Sequence, residues 1–239
     1  MFAVLNETVP APGWELVGVT ALVAAAVATP SFAVPATGTR SLLTGTNVLG
    51  TLVHEGGHAL VSLLTGGGVA RIAVTGSESG YTQPRNPSPP LASILTVAAG
   101  YAMPPLAGLG AAALLHRGLV PAVLTLTVAA MLFIALFARD LLTLASVVVT
   151  GAIAYSAVRW APDWLRNGVA YAEAWLLLTS EIGGLRALVL NRFHGGFRGQ
   201  RDDAALLARY TGIPAFGWIA AWFALIGWAV WHAVPLLWP

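Results

Sequence analysis

The stretch Leu52-Val53-His54-Glu55-Gly56-Gly57-His58-Ala59-Leu60 sets an HExxH pattern inside an apolar run, residues 43–66, that is long enough to cross a membrane. On a helix, positions i and i+4 share a face, so the imidazoles of His54 and His58 can hold one ion while Glu55 reaches a water beside it. Zinc brings the pKa of such a water to roughly 7 and polarises a carbonyl, which is what peptide hydrolysis needs at neutral pH, and Glu55 is then the general base. The competing reading is a structural cluster whose polar groups satisfy one another. Two histidines and a glutamate at membrane depth are costly unless paired, metal-bound or facing water, and ionisable groups inside spans are functional by default, so the metal reading is favoured.

Composition sets the class. The chain is 57% hydrophobic and only 9% charged, with mean hydropathy +0.75, against roughly 25% charged in an ordinary soluble domain. This is the signature of an integral membrane protein. There are no cysteines, which removes both a disulfide framework and a thiolate-ligated zinc. The net charge of +2 comes from 12 basic residues, all arginine and scattered along the chain. A nucleic-acid partner is not expected from that pattern.

Apolar runs at 14–35, 43–66, 91–115, 119–138, 141–158, 169–190 and 213–237 are each near the ~20 residues a spanning helix needs. The expected fold is an all-α polytopic membrane protein, a single domain over 1–239, with six or seven transmembrane helices and a small β-hairpin between the second and third. The first run lacks a basic n-region and an early cleavage site, so it reads as a retained span, with Pro30 and Pro35 bending or ending it.

Residues 67–90 are expected to form the hairpin. They combine glycines, a β-like run from Ala70 to Thr75 and the segment Ser77-Glu78-Ser79-Gly80-Tyr81-Thr82, before Pro84, Pro87, Pro89 and Pro90 stop regular structure. If its edge faces the metal cavity, an extended substrate can add to it as a strand. An ordinary surface hairpin is the equal alternative.

The run from 119 to 158 is broken only by Arg139-Asp140. That pair is either a tight turn between helices or an unwound stretch lining a cavity, and Asp140 is a candidate ligand or half of an interfacial ion pair. Arg159, Asp163 and Arg166 around Pro162 read as an interfacial connection anchored by Trp160 and Trp164. Glu173, Glu181 and Arg186 lie in the next apolar run, with Glu181 a remote candidate ligand. An interfacial loop and short helix are expected over 191–212: Phe193-His194-Gly195-Gly196-Phe197 is its flexible piece, Asp202 its N-cap and Gly212 with Pro214 its stop. Asp203 either caps that helix or reaches back to the metal, and capping is the commoner role. The basic segments divide the orientation vote between the two sides of the membrane.

With these residues in place, the chain resembles the site-2 protease family of intramembrane zinc metalloproteases, in its short bacterial branch without added soluble domains. The likeness rests on His54-Glu55-Gly56-Gly57-His58-Ala59 in a second span, the glycine-rich hairpin and Ala99-Gly100-Tyr101-Ala102-Met103-Pro104-Pro105. It also rests on Asp203-Ala204 with Leu207-Ala208, Thr211 and Pro214 ahead of a Trp-rich last span. It runs from about residue 47 onward.

The resemblance implies zinc held by His54 and His58, with Glu55 activating water. It further implies a third ligand from an aspartate that the family carries in a Leu-Asp-Gly motif. No Asp-Gly occurs in this chain. Phe137-Ala138-Arg139-Asp140-Leu141-Leu142 falls in the matching region, which makes Asp140 the first choice and Asp203 the second.

The implied activity is endoproteolysis of a transmembrane helix of a membrane-protein substrate, within a lipid bilayer, in the multi-pass setting of a bacterial plasma membrane. A homo-oligomer or a regulatory membrane partner is compatible with small residues such as Gly56, Gly57, Gly108 and Gly110. Two other readings stand beside it: a catalytically degraded scaffold that binds membrane helices, favoured by the missing Asp-Gly, and a metal transporter, which calls for more intramembrane His or Asp than are present.

Overall fold

The computed structural model describes residues 5–28, 47–76, 79–193 and 202–238. Pro30, Pro35, the hairpin tip at Ser77 and Glu78, and the piece from His194 to Gly196 with Phe197, Arg198 and Arg201 lie outside the described residues. The elements are α1 (Trp14–Ala28), α2 (Val48–Leu64), β1 (Val69–Gly76), β2 (Ser79–Pro84), α3 (Pro90–His116), α4 (Val120–Ala135), α5 (Leu141–Trp160), α6 (Asp163–Thr179), α7 (Glu181–Phe193), α8 (Asp203–Thr211) and α9 (Ala215–Leu237). Of these, α3, α5 and α9 are long and apolar enough to cross a membrane, while α1, α2 and α4 are shorter apolar helices.

Helix boundaries follow local chemistry. Asp140 caps α5 by accepting the Thr143 N–H, and Asp202 caps α8 by accepting the Ala205 N–H. Gly212 ends α8 with φ 74°, a left-handed conformation that suits glycine. Arg139-Asp140 therefore marks a turn between helices rather than an unwound stretch. One expectation is corrected: residues 169–190 are not a single helix. The chain breaks at Ser180, whose carbonyl accepts a bond from the Asn47 amide at 3.0 Å, and α6 starts already at Asp163, shortening the expected interfacial connection to Ala161 and Pro162.

Small residues set the spacing around α3. A Cβ on Gly57 of α2 would lie 2.7 Å from Met103 Cβ and 3.0 Å from the Ala99 carbonyl, and one on Gly108 of α3 would lie 2.8 Å from the Leu178 nitrogen of α6. Backbone approach this close is the packing available inside a bilayer, where apolar burial alone does not drive helices together. Three apolar clusters result: α1, α3, α4, α6 and α9 meet at Val17, Ala112, Leu124, Leu178 and Ala233; α2, β1, α4 and α5 meet at Leu52, Ile72, Ile134 and Val147; and α3, α7, α8 and α9 meet at Tyr101, Leu185, Leu207 and Trp222.

The hairpin forms as expected. β1 and β2 are antiparallel, with Ile72 opposite Thr82, Ala73 opposite Tyr81 and Val74 opposite Gly80. The outer edge of β1 is covered, since the Ile72 N–H donates to the Phe137 carbonyl at 3.0 Å and the Val74 N–H donates to Thr143 Oγ1 at 2.8 Å. Bonding alternates along an antiparallel pair. Ala73 and Tyr81 therefore face each other, and Gly80 and Thr82 turn their backbone groups to the open edge of β2.

Candidate metal centre

The site is built where α2, α3 and α8 converge at the open edge of β2. His54 and His58, one turn apart on α2, present their Nε2 atoms 3.2 Å from each other. Asp203, the first residue of α8, places Oδ2 3.3 Å from His54 Nε2 and 3.2 Å from His58 Nε2. The three side chains form a group of the kind that can hold a metal ion.

Proton placement decides what these contacts mean. His58 Nδ1 lies 2.7 Å from the Thr96 carbonyl of α3, which can only accept, so Nδ1 carries the proton. His54 Nδ1 lies 3.2 Å from Glu181 Oε2, again an acceptor. With both rings neutral, each Nε2 turns a lone pair toward the Asp203 carboxylate, and three acceptors face one point with no donor among them. A bound cation resolves that repulsion. Ligands in tetrahedral zinc coordination sit about 3.3 Å apart, given bonds of about 2.0–2.1 Å, and the observed spacings match. Gly100 supplies the remaining room: a Cβ there would lie 2.4 Å from His58 Nε2 and 2.6 Å from His54 Nε2. The donor set, the tautomers and the space fit zinc.

Glu55 stands one position from His54 and is only 4% exposed. Thr82 of β2 donates its hydroxyl to Glu55 Oε2 at 2.7 Å, and Gly80 comes so near that a Cβ would lie 2.7 Å from Glu55 Oε1. The strand thus fixes the carboxylate from one side. His54, His58, Asp203, Glu55, Gly80 and Thr82 line a cleft of about 830 Å³ that also includes Asn47, Thr51, Ser180 and Tyr210.

Asp203 reaches the histidines because a neighbour does its capping. Asp202 accepts the Ala205 N–H at 3.0 Å and pairs with Arg192 Nη2 at 2.6 Å, and Arg192 is almost wholly buried.

A family model described as Peptidase M50B-like matches residues 16–233, nearly the whole chain. The chain belongs to that family. This is the site-2 protease family that the HExxH span and its neighbours resemble. Neither the curated proteins nor the solved structures give a significant match. Membership together with the three long apolar helices makes this M50B-like chain an integral membrane protein, and it points to a metallopeptidase.

In this M50B-like chain the structure brings His54, His58 and Glu55 together with Asp203, the second-choice acid, and places the first choice elsewhere. Asp140 is a correction. Its carboxylate accepts from the Thr143 N–H at 2.9 Å and the Thr143 hydroxyl at 2.8 Å, and pairs with Arg71 Nη2 at 3.4 Å, which occupies it at the start of α5. Burial would raise its carboxyl, but Thr143 and Arg71 hold it below its ordinary value.

Sequence reading passed over Gly80, Thr82, Thr96 and Gly100 as parts of the site. A glycine four residues before a buried proline pair on a helix gives no local hint of what its missing side chain makes room for. Thr82 sits on a strand whose register alone decides which way it points. Glu173, in an apolar run, accepts the Thr127 hydroxyl instead of joining the cluster.

Proposed function

We propose that the chain is a zinc-dependent intramembrane endopeptidase that hydrolyses a peptide bond in a transmembrane segment of a membrane-protein substrate, the chemistry of regulated intramembrane proteolysis. The observation that carries this reading is the convergence of His54 Nε2, His58 Nε2 and Asp203 Oδ2 on one point of a cleft whose wall also holds Glu55. We assign the three as metal ligands and Glu55 as the base.

A divalent cation at that point supplies Lewis acidity toward the scissile carbonyl and lowers the pKa of an attacking water. The rest belongs to the chain. Glu55 takes a proton from the water as its oxygen bonds to the carbonyl carbon, then returns that proton to the amide nitrogen as the C–N bond breaks. Thr82 keeps the carboxylate turned to the cleft through its 2.7 Å bond. The open edge of β2 offers the backbone groups of Gly80 and Thr82 to an extended segment, which supports a substrate helix that unwinds and pairs as a strand before cleavage.

The scaffold alternative drew on the absent Asp-Gly motif. Asp203 supplies an acid from another helix, so nothing specific favours it here. The bacterial plasma membrane is the setting the short-branch likeness supports.

The test is metal analysis of purified protein and Glu55→Gln beside cleavage of a tagged membrane substrate. Zinc stays and cleavage stops in the variant, since the base is lost and the ligands are kept. Turnover that survives the change removes Glu55 from the mechanism.

A further inference from the structure

α7 begins just after the break at Ser180. Asn47, at the N-terminal end of α2, donates its amide to the Ser180 carbonyl, and Gly50 lets Ser180 approach so closely that a Cβ on Gly50 would lie 2.5 Å from Ser180 Cβ. The start of α7 is thus fixed against the helix that bears both histidines. Its first residue, Glu181, is buried beneath them, and the side-chain contact it makes is to His54 Nδ1 at 3.2 Å.

That contact is on the far side of the ring from the cluster. Nε2 of His54 faces His58 and Asp203, so Glu181 does not add a ligand atom; it grips the ring from behind. His58 shows how little is needed to fix a tautomer, since the Thr96 carbonyl does it without a charge. A buried carboxylate is a far more expensive way to hold a ring. What it adds over a carbonyl is negative charge, which makes Nε2 a stronger donor and favours a cation in front of it. Carboxylate–histidine–metal arrangements of this kind orient the ring and raise ligand basicity.

We propose that Glu181 is a positioning residue of the metal centre, setting the orientation and donor strength of His54 through its Nδ1–H. The proposal rests on the metal reading above. The bland alternative is a buried ion pair that only steadies the junction of α6 and α7.

The experiment is zinc affinity by competition with a chromophoric chelator for the full-length protein, Glu181→Gln and Glu181→Ala, with the ligand-field spectrum of the cobalt-substituted forms and thermal melting of the metal-free forms. Glu181→Ala weakens zinc binding about 10–100-fold, and Glu181→Gln, which keeps an acceptor but no charge, recovers part of that loss. The cobalt spectrum shifts in both.

Glu181→Gln is close in shape to the native side chain and decides the matter if Glu181→Ala does not fold. A zinc dissociation constant within twofold of wild type in Glu181→Gln, with an unchanged cobalt spectrum, overturns the proposal, as does a loss confined to the metal-free melting temperature. Wild-type protein that binds no zinc overturns the metal reading itself and the proposal with it.

Discussion

Gly100→Ala adds one carbon at the point where the two imidazoles meet. Its Cβ would lie 2.4 Å from His58 Nε2, 2.5 Å from His58 Cε1 and 2.6 Å from His54 Nε2. Ordinary contacts of this kind are about 3.5 Å, so the rings must draw back by about an ångström. Zinc sites tolerate bond-length changes of only about 0.2 Å, and at least one imidazole is therefore lost as a ligand. Apparent zinc binding in four-ligand protein sites is worth about 10–16 kcal/mol, or about 3 kcal/mol per ligand, so zinc affinity falls about 100-fold. The backbone pulls the other way, because alanine is a better helix former than glycine by about 1 kcal/mol. The assay is zinc competition in detergent with helix content followed by circular dichroism: metal is lost while helix is kept. Wild-type zinc affinity in Gly100→Ala would refute the placement of both Nε2 atoms against α3.

Other outcomes follow from the same geometry. Asp203→Ala removes most bound zinc, measured by elemental analysis, whereas Asp140→Ala leaves zinc content unchanged and costs about 1 kcal/mol of stability as a lost helix cap. The Asp140 carboxyl is held below its ordinary value; its contribution is thus complete above the unfolded-state pKa of about 3.9 and is lost as pH falls through the lower folded value. The melting difference between wild type and Asp140→Asn is accordingly constant from about pH 8 to 5 and shrinks only below about pH 4. Arg192→Met strands Asp202 without its guanidinium and destabilises the fold by about 3 kcal/mol, read by thermal or denaturant melting, with zinc affinity falling as α8 loosens. Gly80→Ala presses on Glu55 without touching a ligand, so it lowers turnover at least about tenfold while zinc content holds.

Much of the architecture was legible because bilayers impose long apolar runs. The helices α3 to α5 and α9 lie within a few residues of the expected runs, α1 and α2 fall inside theirs, and the glycines and β-like residues before Pro84 announced the hairpin. The break at Ser180 was not legible, since it depends on an amide from Asn47, which is distant in sequence. Asp140 drew attention as a lone acid in an apolar run, yet it sits at the end of a helix where Thr143 and Arg71 satisfy it. The pair Asp202-Asp203 held the better signal. One helix start needs one cap, so a second adjacent acid is left for other work. That argument needs the helix boundary to single residues, which periodicity does not supply.

The central claim is that His54, His58 and Asp203 share one divalent cation beside Glu55. Zinc-edge X-ray absorption of the purified protein tests it most directly. The account predicts a four-coordinate spectrum with two imidazoles and oxygen ligands at about 2.0–2.1 Å, changed by Asp203→Ala and unaltered by Asp140→Ala. Protein that carries no zinc, or a spectrum without imidazole scattering, would contradict it.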